Sequence, residues 1–133
     1  MNWKPIDHLL LIDNDDINNF IIEELFKEAN VTNRLSICTG VTEALEFLEK
    51  EEDKPNLILL DLNMPVLGGF DFLKEYMARG YDKFKTKVIV LSSSLNVKDQ
   101  ELAEEYPCVA TFYVKPLKVN ELKELAVQYK LNE

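Results

Sequence analysis

The sequence has few of the residues that build disulfide frameworks and metal clusters. Its 133 residues include two cysteines, one histidine and four glycines. Cys38 and Cys108 form no metal or redox spacing, so we expect both to be reduced residues that pack in the interior. His8 lies at the start of a predicted strand, where we expect a structural role. A fold stabilised by disulfides or by a metal cluster is therefore not expected.

Basic residues and long apolar runs are also scarce. Lysine and arginine number 15 against 24 acidic residues, which gives a net charge of −9 and argues against nucleic acid or an anionic membrane as a direct partner. No apolar run approaches the roughly 20 residues of a membrane span, and no signal-peptide pattern is seen at the N-terminus. The sequence therefore predicts one cytoplasmic domain over residues 1–133.

The sequence does contain a regular alternation of short apolar runs and amphipathic segments. Strands are predicted at residues 9–12, 34–38, 57–60, 87–91 and 110–114. A helical pattern follows each strand, and connections of this length join parallel strands. With right-handed crossovers, the pattern predicts an α/β fold, a doubly wound five-stranded parallel sheet with helices on both faces.

Apolar residues at helical spacing predict which face of each helix is buried. Asp15 or Asp16 can cap the first helix. The predicted stripe of the first helix comprises Ile17, Phe20, Ile21 and Leu25. The predicted stripe of the last helix comprises Val119, Leu122, Ala126 and Tyr129.

Polar residues stand where four of the predicted strands end. They are Asp13 and Asn14 after the first strand, Asp61 after the third, Ser92 after the fourth and Lys115 after the fifth. Parallel strands bring these ends to one edge of the sheet, where open α/β sheets place their ligands. We therefore expect residues that are about a hundred positions apart to meet in one site.

These side chains are the parts of a phosphoryl-transfer site. The oxygens of Asp13, Asn14 and Asp61 are hard donors that suit Mg²⁺. Asp61 can also act as a nucleophile towards phosphorus. Lys115 and Ser92 can each bind a phosphoryl oxygen, the first through its charge and the second through its hydroxyl.

Four short motifs carry a resemblance to a known family. Residues 61–69 read D-x-x-M-P-x-x-x-G, and an apolar strand ends in Asp13-Asn14. A second strand ends in Ser92-Ser93, and the fifth reads Phe112-Tyr-Val-Lys115-Pro116. Over residues 7–130 the chain resembles the receiver domain of two-component response regulators, of the stand-alone chemotaxis-regulator type. This resemblance implies a flavodoxin-like (βα)5 fold with strand order 2-1-3-4-5.

The resemblance also implies roles for the strand-end residues. Asp61 would accept a phosphoryl group from a sensor histidine kinase or a histidine phosphotransfer protein. Mg²⁺ would be bound by Asp13, Asn14, Asp61 and the backbone carbonyl of Asn63. Lys115 would bind the phosphoryl group. The chain would then be a phosphoacceptor signalling protein that catalyses only its own phosphorylation and dephosphorylation.

The same resemblance implies a conformational switch. Ser92 would move to the phosphoryl oxygen, and Phe112 would swing into the space that Ser92 leaves. Ser94 would tune the lifetime of the phosphoryl group, and the peptide bond before Pro116 would be cis. A downstream protein would bind the face formed by the fourth helix, the fifth strand and the fifth helix.

One departure from the family pattern keeps an alternative open. Asn14 stands at the second acidic position, where an amide can ligate a metal but contributes no charge. A receiver-like binding module that takes no phosphoryl group is therefore an alternative. A phosphatase-type hydrolase with an aspartyl nucleophile is a weaker one, because such enzymes place a second aspartate where this chain has Asn63.

Overall fold

The fold is an alternation of strands and helices around one sheet. The computed structural model describes residues 6–93 and 96–128. The elements are β1 (Ile6–Ile12), α1 (Asp16–Ala29), β2 (Thr32–Cys38), α2 (Val41–Lys50), β3 (Leu57–Asp61), α3 (Gly69–Ala78), a short 3-10 helix (Tyr81–Lys83), β4 (Lys87–Ser92), α4 (Val97–Glu104), β5 (Val109–Val114) and α5 (Val119–Gln128). The five strands pair in parallel in the order β2-β1-β3-β4-β5. The predicted α/β fold and its strand order are confirmed.

The sheet separates two hydrophobic layers. All five residues of β3 are buried, as expected for a central strand covered on both faces. On β1, Leu10 and Ile12 pack with α2 and α3, whereas Leu9 and Leu11 pack with α1 and α5. Alternate side chains of one strand point to opposite faces of the sheet, so each central strand contributes to both layers.

The predicted buried stripe of α1 is wrong. Ile17, Phe20 and Ile21 are 75%, 63% and 50% exposed, and Leu25 is half-buried. The residues that α1 buries are Asn19, Ile22 and Phe26. The helix carries two apolar arcs, and the sheet covers the one that is interrupted by a polar residue. The polar side chain of Asn19 can be buried there because its amide donates a hydrogen bond to the Asp13 carbonyl oxygen at 2.8 Å.

The predicted stripe of α5 is partly right. Leu122 and Ala126 are buried, together with Leu125. Val119, however, is 47% exposed, because it occupies the first position of α5 at the end of the sheet. The fourth member of that stripe, Tyr129, lies outside the described residues, as does Ser94.

Two further expectations concern the cysteines and membrane insertion. Cys38 and Cys108 are both buried and free, and burial raises the pKa of their thiols to about 12 and about 11. Both are therefore packing residues rather than reactive nucleophiles.

Across residues 6–93 and 96–128, none of the helices combines the length and apolar character needed to cross a membrane.

Candidate functional site

The strand ends meet at one edge of the sheet, as the sequence predicts. Asp61 is the last residue of β3 and pairs in register with Leu91 of β4. Asp13 directly follows β1, and its backbone N–H donates to the Cys38 carbonyl at 3.0 Å. Lys115 directly follows β5, and its backbone N–H donates to the Ser92 carbonyl at 2.8 Å.

Lys115 lies between the two carboxylates of this edge. Its Nζ is 2.6 Å from Asp13 Oδ2 and 3.5 Å from Asp61 Oδ1. The side chains of Asp13, Asp61 and Lys115 are 0%, 4% and 17% exposed. Buried charges require a partner, and here one ammonium group serves two carboxylates. This cluster therefore carries one net negative charge when all three groups are ionised.

The environment of Asp61 disfavours its charged form. Burial raises the pKa of the Asp61 carboxyl, and the nearby Asp13 carboxylate raises it further. The Lys115 ammonium and the Asn63 backbone N–H, which lies 3.2 Å from Asp61 Oδ1, oppose that shift. A divalent cation between the two carboxylates would relieve this repulsion and favour the ionised form.

The first turns of α1 hold the Asp13 carboxylate. Asn18 Nδ2 donates to Asp13 Oδ2 at 2.8 Å, and the backbone N–H of Asp15 donates to Asp13 Oδ1 at 2.9 Å. Asn19 Nδ2 donates to the Asp13 carbonyl oxygen. The sequence patterns described above did not predict the contacts of Asn18 and Asn19 with Asp13. The available signal was two adjacent asparagines in the first turn of a helix that begins at the site.

The loop after β3 reaches across the site to β4. Asn63 Nδ2 lies 3.0 Å from Ser93 Oγ and 3.4 Å from Ser92 Oγ. Ser92 is completely buried at the end of β4. The amide of Asn63 therefore links the loop after β3 to the end of β4.

Close packing against the end of β3 explains why the motif at residues 61–69 ends in a glycine, Gly69. A Cβ at this position would lie 2.8 Å from Leu62 Cα and 2.9 Å from the Asp61 carbonyl oxygen. Such contacts are too short for any side chain, so glycine alone lets the first turn of α3 pack against the end of β3. In the loop between β3 and α3, Val66 adopts a positive φ of 67°. It is the central residue of a tight turn in which Leu67 N–H donates to the Pro65 carbonyl.

Asn14 lies at the same edge but on the surface. It is exposed and lines a cavity of about 220 Å³ with Thr39, Met64 and Pro65 among other residues. In the part of the chain that the structure describes, no three His, Cys, Asp or Glu side chains are grouped to hold a metal. The candidate oxygen donors at this edge are the Asp13 and Asp61 carboxylates and the Asn14 amide, and such a set would suit Mg²⁺, an ion that keeps several of its waters.

The remaining predicted residues lie along β5. Phe112 pairs with Val90 of β4, is half-buried, and packs against the hydrophobic layer that contains α2 and α3. The peptide bond between Lys115 and Pro116 is cis, which confirms that expectation.

Comparison with known proteins identifies the family of this chain. Residues 9–127 match the family model of the response regulator receiver domain. Two-component response regulator-like APRR3 from Arabidopsis thaliana is 30% identical over 129 residues, which are 92% of this chain and 24% of that protein. The chain thus spans about a quarter of that relative.

A shorter relative and two crystal structures agree with this match. Response regulator Rcp1 from Synechocystis sp. is 30% identical over 101 residues, 72% of this chain and 68% of that protein. A crystal structure of the Mn²⁺-bound form of response regulator Rcp1 has a TM-score of 0.72 and 25% identity, covering 90% of this chain and 88% of that one. A two-component response regulator from Cytophaga hutchinsonii has a TM-score of 0.85 and 30% identity, covering 95% of this chain and 98% of that one.

Proposed function

The chain belongs to the response regulator receiver domain family of two-component signalling, and on that premise we propose that Asp61 is its phosphoacceptor. A sensor histidine kinase or a histidine phosphotransfer protein would donate the phosphoryl group. Nucleophilic attack by an Asp61 carboxylate oxygen would form an acyl phosphate and release the donor histidine. The chain is a signalling protein, whose only catalysis would be its own phosphorylation and dephosphorylation.

The observation that carries this proposal is the shared position of Lys115 between Asp13 and Asp61. Its Nζ is within 3.5 Å of both carboxylates, and a phosphoryl group on Asp61 would place anionic oxygens within reach of the same ammonium. A preorganised cation at the position where charge accumulates is the usual basis of phosphoryl transfer. Ser92 would donate a hydrogen bond to another phosphoryl oxygen.

Mg²⁺ is the proposed cofactor. Asp13, Asp61, the backbone carbonyl of Asn63 and the amide of Asn14 would hold it. The ion would neutralise phosphoryl oxygens and allow an anionic donor to approach a carboxylate. The resemblance to response regulator Rcp1, whose crystal structure is described as Mn²⁺-bound, supports a divalent cation as the cofactor.

Two surfaces would serve the protein partners. The phosphodonor would contact the exposed apolar side of α1, formed by Ile17, Phe20 and Ile21, because α1 begins three residues after Asp13. The downstream target would bind the face of α4, β5 and α5, to which Ser92 and Phe112 would transmit phosphorylation.

Intact-mass analysis tests the proposal. Wild-type protein incubated with acetyl phosphate and Mg²⁺ should gain the mass of one phosphoryl group, and beryllofluoride should perturb NMR signals around Asp61. Asp61→Asn should gain no mass, whereas Asp53→Asn, at an exposed aspartate, should behave as wild type. Equal phosphorylation of Asp61→Asn would refute the assignment of Asp61.

The alternative is a receiver-like binding module that takes no phosphoryl group. The exposed Asn14 supports it, because this amide leaves Asp13 and Asp61 as the carboxylates of the site. A wild-type chain that stays unmodified with acetyl phosphate, and also with a histidine-phosphorylated donor, would favour this alternative.

A further inference from the structure

Asn18 contacts the same carboxylate oxygen as Lys115. Asp13 Oδ2 accepts Lys115 Nζ at 2.6 Å and Asn18 Nδ2 at 2.8 Å. We propose that Asn18 is a positioning residue, which keeps the Asp13 carboxylate in its metal-binding orientation when Lys115 moves to the phosphoryl group. This inference rests on the proposed function.

The movement of Lys115 would take away the ammonium group that pairs with Asp13 in the metal-free protein. Asp13 is completely buried in the metal-free protein, so the groups that contact its carboxylate set its orientation. The hydrogen bonds that do not involve Lys115 include those from the Asn18 amide to Oδ2 and from the Asp15 backbone N–H to Oδ1. A buried carboxylate needs such donors to stay in one orientation.

A neutral amide suits this position better than a second cation would. An ammonium group repels a metal ion that binds the same carboxylate, whereas an amide orients the carboxylate without opposing the metal. Asn18 is itself held in place, because its backbone N–H donates to the capping Asp15 side chain at 3.1 Å. The adjacent Asn19 fixes the Asp13 backbone.

The residue at position 14 makes this support important. Since Asn14 brings no charge, the metal site would depend on two carboxylates, and a change in the orientation of either one weakens it. In metal sites generally, loss of a side chain that orients a ligand lowers metal affinity about 10–100-fold. Asn18 is the orienting side chain that α1 supplies to Asp13.

A Mg²⁺ titration of four proteins tests the inference: wild type, Asn18→Ala, Lys115→Met and the double variant. NMR chemical shifts or calorimetry report the dissociation constant. Asn18→Ala should weaken Mg²⁺ binding about tenfold, and the loss should be larger in the Lys115→Met background, where the Lys115 ammonium no longer holds Asp13 Oδ2. Such a cycle isolates the coupling between the two residues. Asn33→Ala, at an exposed asparagine at the start of β2, is the matched control and should bind as wild type.

The outcomes separate this inference from the proposed function. Mg²⁺ dissociation constants for Asn18→Ala within twofold of the parent in both backgrounds would overturn the inference alone. A wild type that binds no Mg²⁺ would overturn the metal role and this inference together. A purely structural role would lower the metal-free melting temperature without changing Mg²⁺ affinity. If Asn18→Ala does not fold, Asn18→Ser takes its place, and if Lys115→Met does not fold, the wild-type background decides.

Discussion

The ammonium nitrogen of Lys115 lies 2.6 Å from a carboxylate oxygen of Asp13, although the two residues are 102 positions apart in the sequence. Removing the cation by Lys115→Met would leave a fully buried carboxylate without its charged partner. We expect a loss of about 3 kcal/mol in the free energy of unfolding, the lower end for buried pairs, because Asn18 and the Asp15 N–H remain on Asp13. Urea denaturation without metal measures it.

Lys118→Met is the control for this change, because Lys118 is exposed close to Lys115 in the chain. Its effect should stay within about 0.5 kcal/mol. Mg²⁺ should restore part of the stability of Lys115→Met, since the ion supplies the missing positive charge. If the two variants are equally stable without metal, the buried pair does not stabilise the fold.

Asp61→Asn should stabilise the metal-free protein at neutral pH. Burial and Asp13 raise the pKa of Asp61 in the folded state, so this carboxyl binds its proton more tightly in the fold than in the unfolded chain. Its contribution to stability is therefore greatest below an unfolded pKa of about 3.9 and is lost as the pH rises through the folded value.

The difference in free energy of unfolding between Asp61→Asn and wild type should consequently grow from about pH 4 upwards. Urea denaturation of both proteins across that pH range measures it, and Asp53→Asn controls for the loss of one charge on the surface. A difference that shrinks as pH rises would mean that the ionised Asp61 stabilises the fold.

The sheet and its site could be predicted because they rest on short, strong patterns. The apolar run at 57–60 is a parallel strand buried on both faces, and a carboxylate at its end has few other roles. Parallel pairing then places Asp13 and Lys115 beside Asp61, since the ends of parallel strands share one edge.

The burial of α1 could not be predicted in the same way. Ile17 and Phe20 lie on one apolar arc of the helix and Ile22 and Phe26 on another, and helical spacing fits both. The sheet buries the arc that holds Asn19, because this amide donates to the Asp13 carbonyl. The hydrogen bond between Asn19 and Asp13 depends on the orientation in which α1 packs on the sheet. The spacing of apolar residues along the helix does not predict that orientation.

Phe20 and Phe26 on α1 should respond to alanine in opposite ways. Phe20 is 63% exposed, whereas Phe26 is 2% exposed. Phe26→Ala should cost about 3–5 kcal/mol of stability through the cavity that it leaves. Phe20→Ala should change stability by about 0.5 kcal/mol or less, but it should slow phosphotransfer from a histidine-phosphorylated protein.

Acetyl phosphate distinguishes docking from chemistry for Phe20→Ala. A small donor needs no protein surface, so the variant should be phosphorylated by acetyl phosphate at the wild-type rate. Stopped-flow or gel-based phosphotransfer assays give both rates. Slowing with both donors would place the effect in the site itself, and no slowing with either would show that this side of α1 does not bind the donor.

Asn14→Asp should tighten Mg²⁺ binding. A carboxylate at ligand distance adds one negative charge, worth on the order of 1 kcal/mol or more at a surface-like dielectric constant, and about 1.4 kcal/mol corresponds to tenfold in affinity. Calorimetric titration measures the change, with Asn33→Asp as a control for net charge. Unchanged or weaker binding would mean that residue 14 does not face the metal.

The orientation of the Phe112 ring should report the conformational switch. Phenylalanine has no hydroxyl, so its ring can be buried without leaving a polar group unpaired. Its ring is half-buried against the hydrophobic layer of α2 and α3, one strand from Ser92 at the end of β4. If Ser92 moves to the phosphoryl group, the ring can rotate inwards and bury apolar surface with no polar atom left without a partner. The inward rotamer should therefore be populated even without phosphorylation, and beryllofluoride should increase that population.

Phe112→Tyr should reduce the population of the inward rotamer in the unmodified protein, because burying an unsatisfied hydroxyl costs about 1–3 kcal/mol. NMR of ring-labelled phenylalanine, assigned with Phe112→Leu, measures the populations for Phe112, and ring-labelled tyrosine does so in the variant. Identical Phe112 populations with and without beryllofluoride, together with a Ser92→Ala variant that still binds the downstream partner, would show that this pair does not transmit the signal.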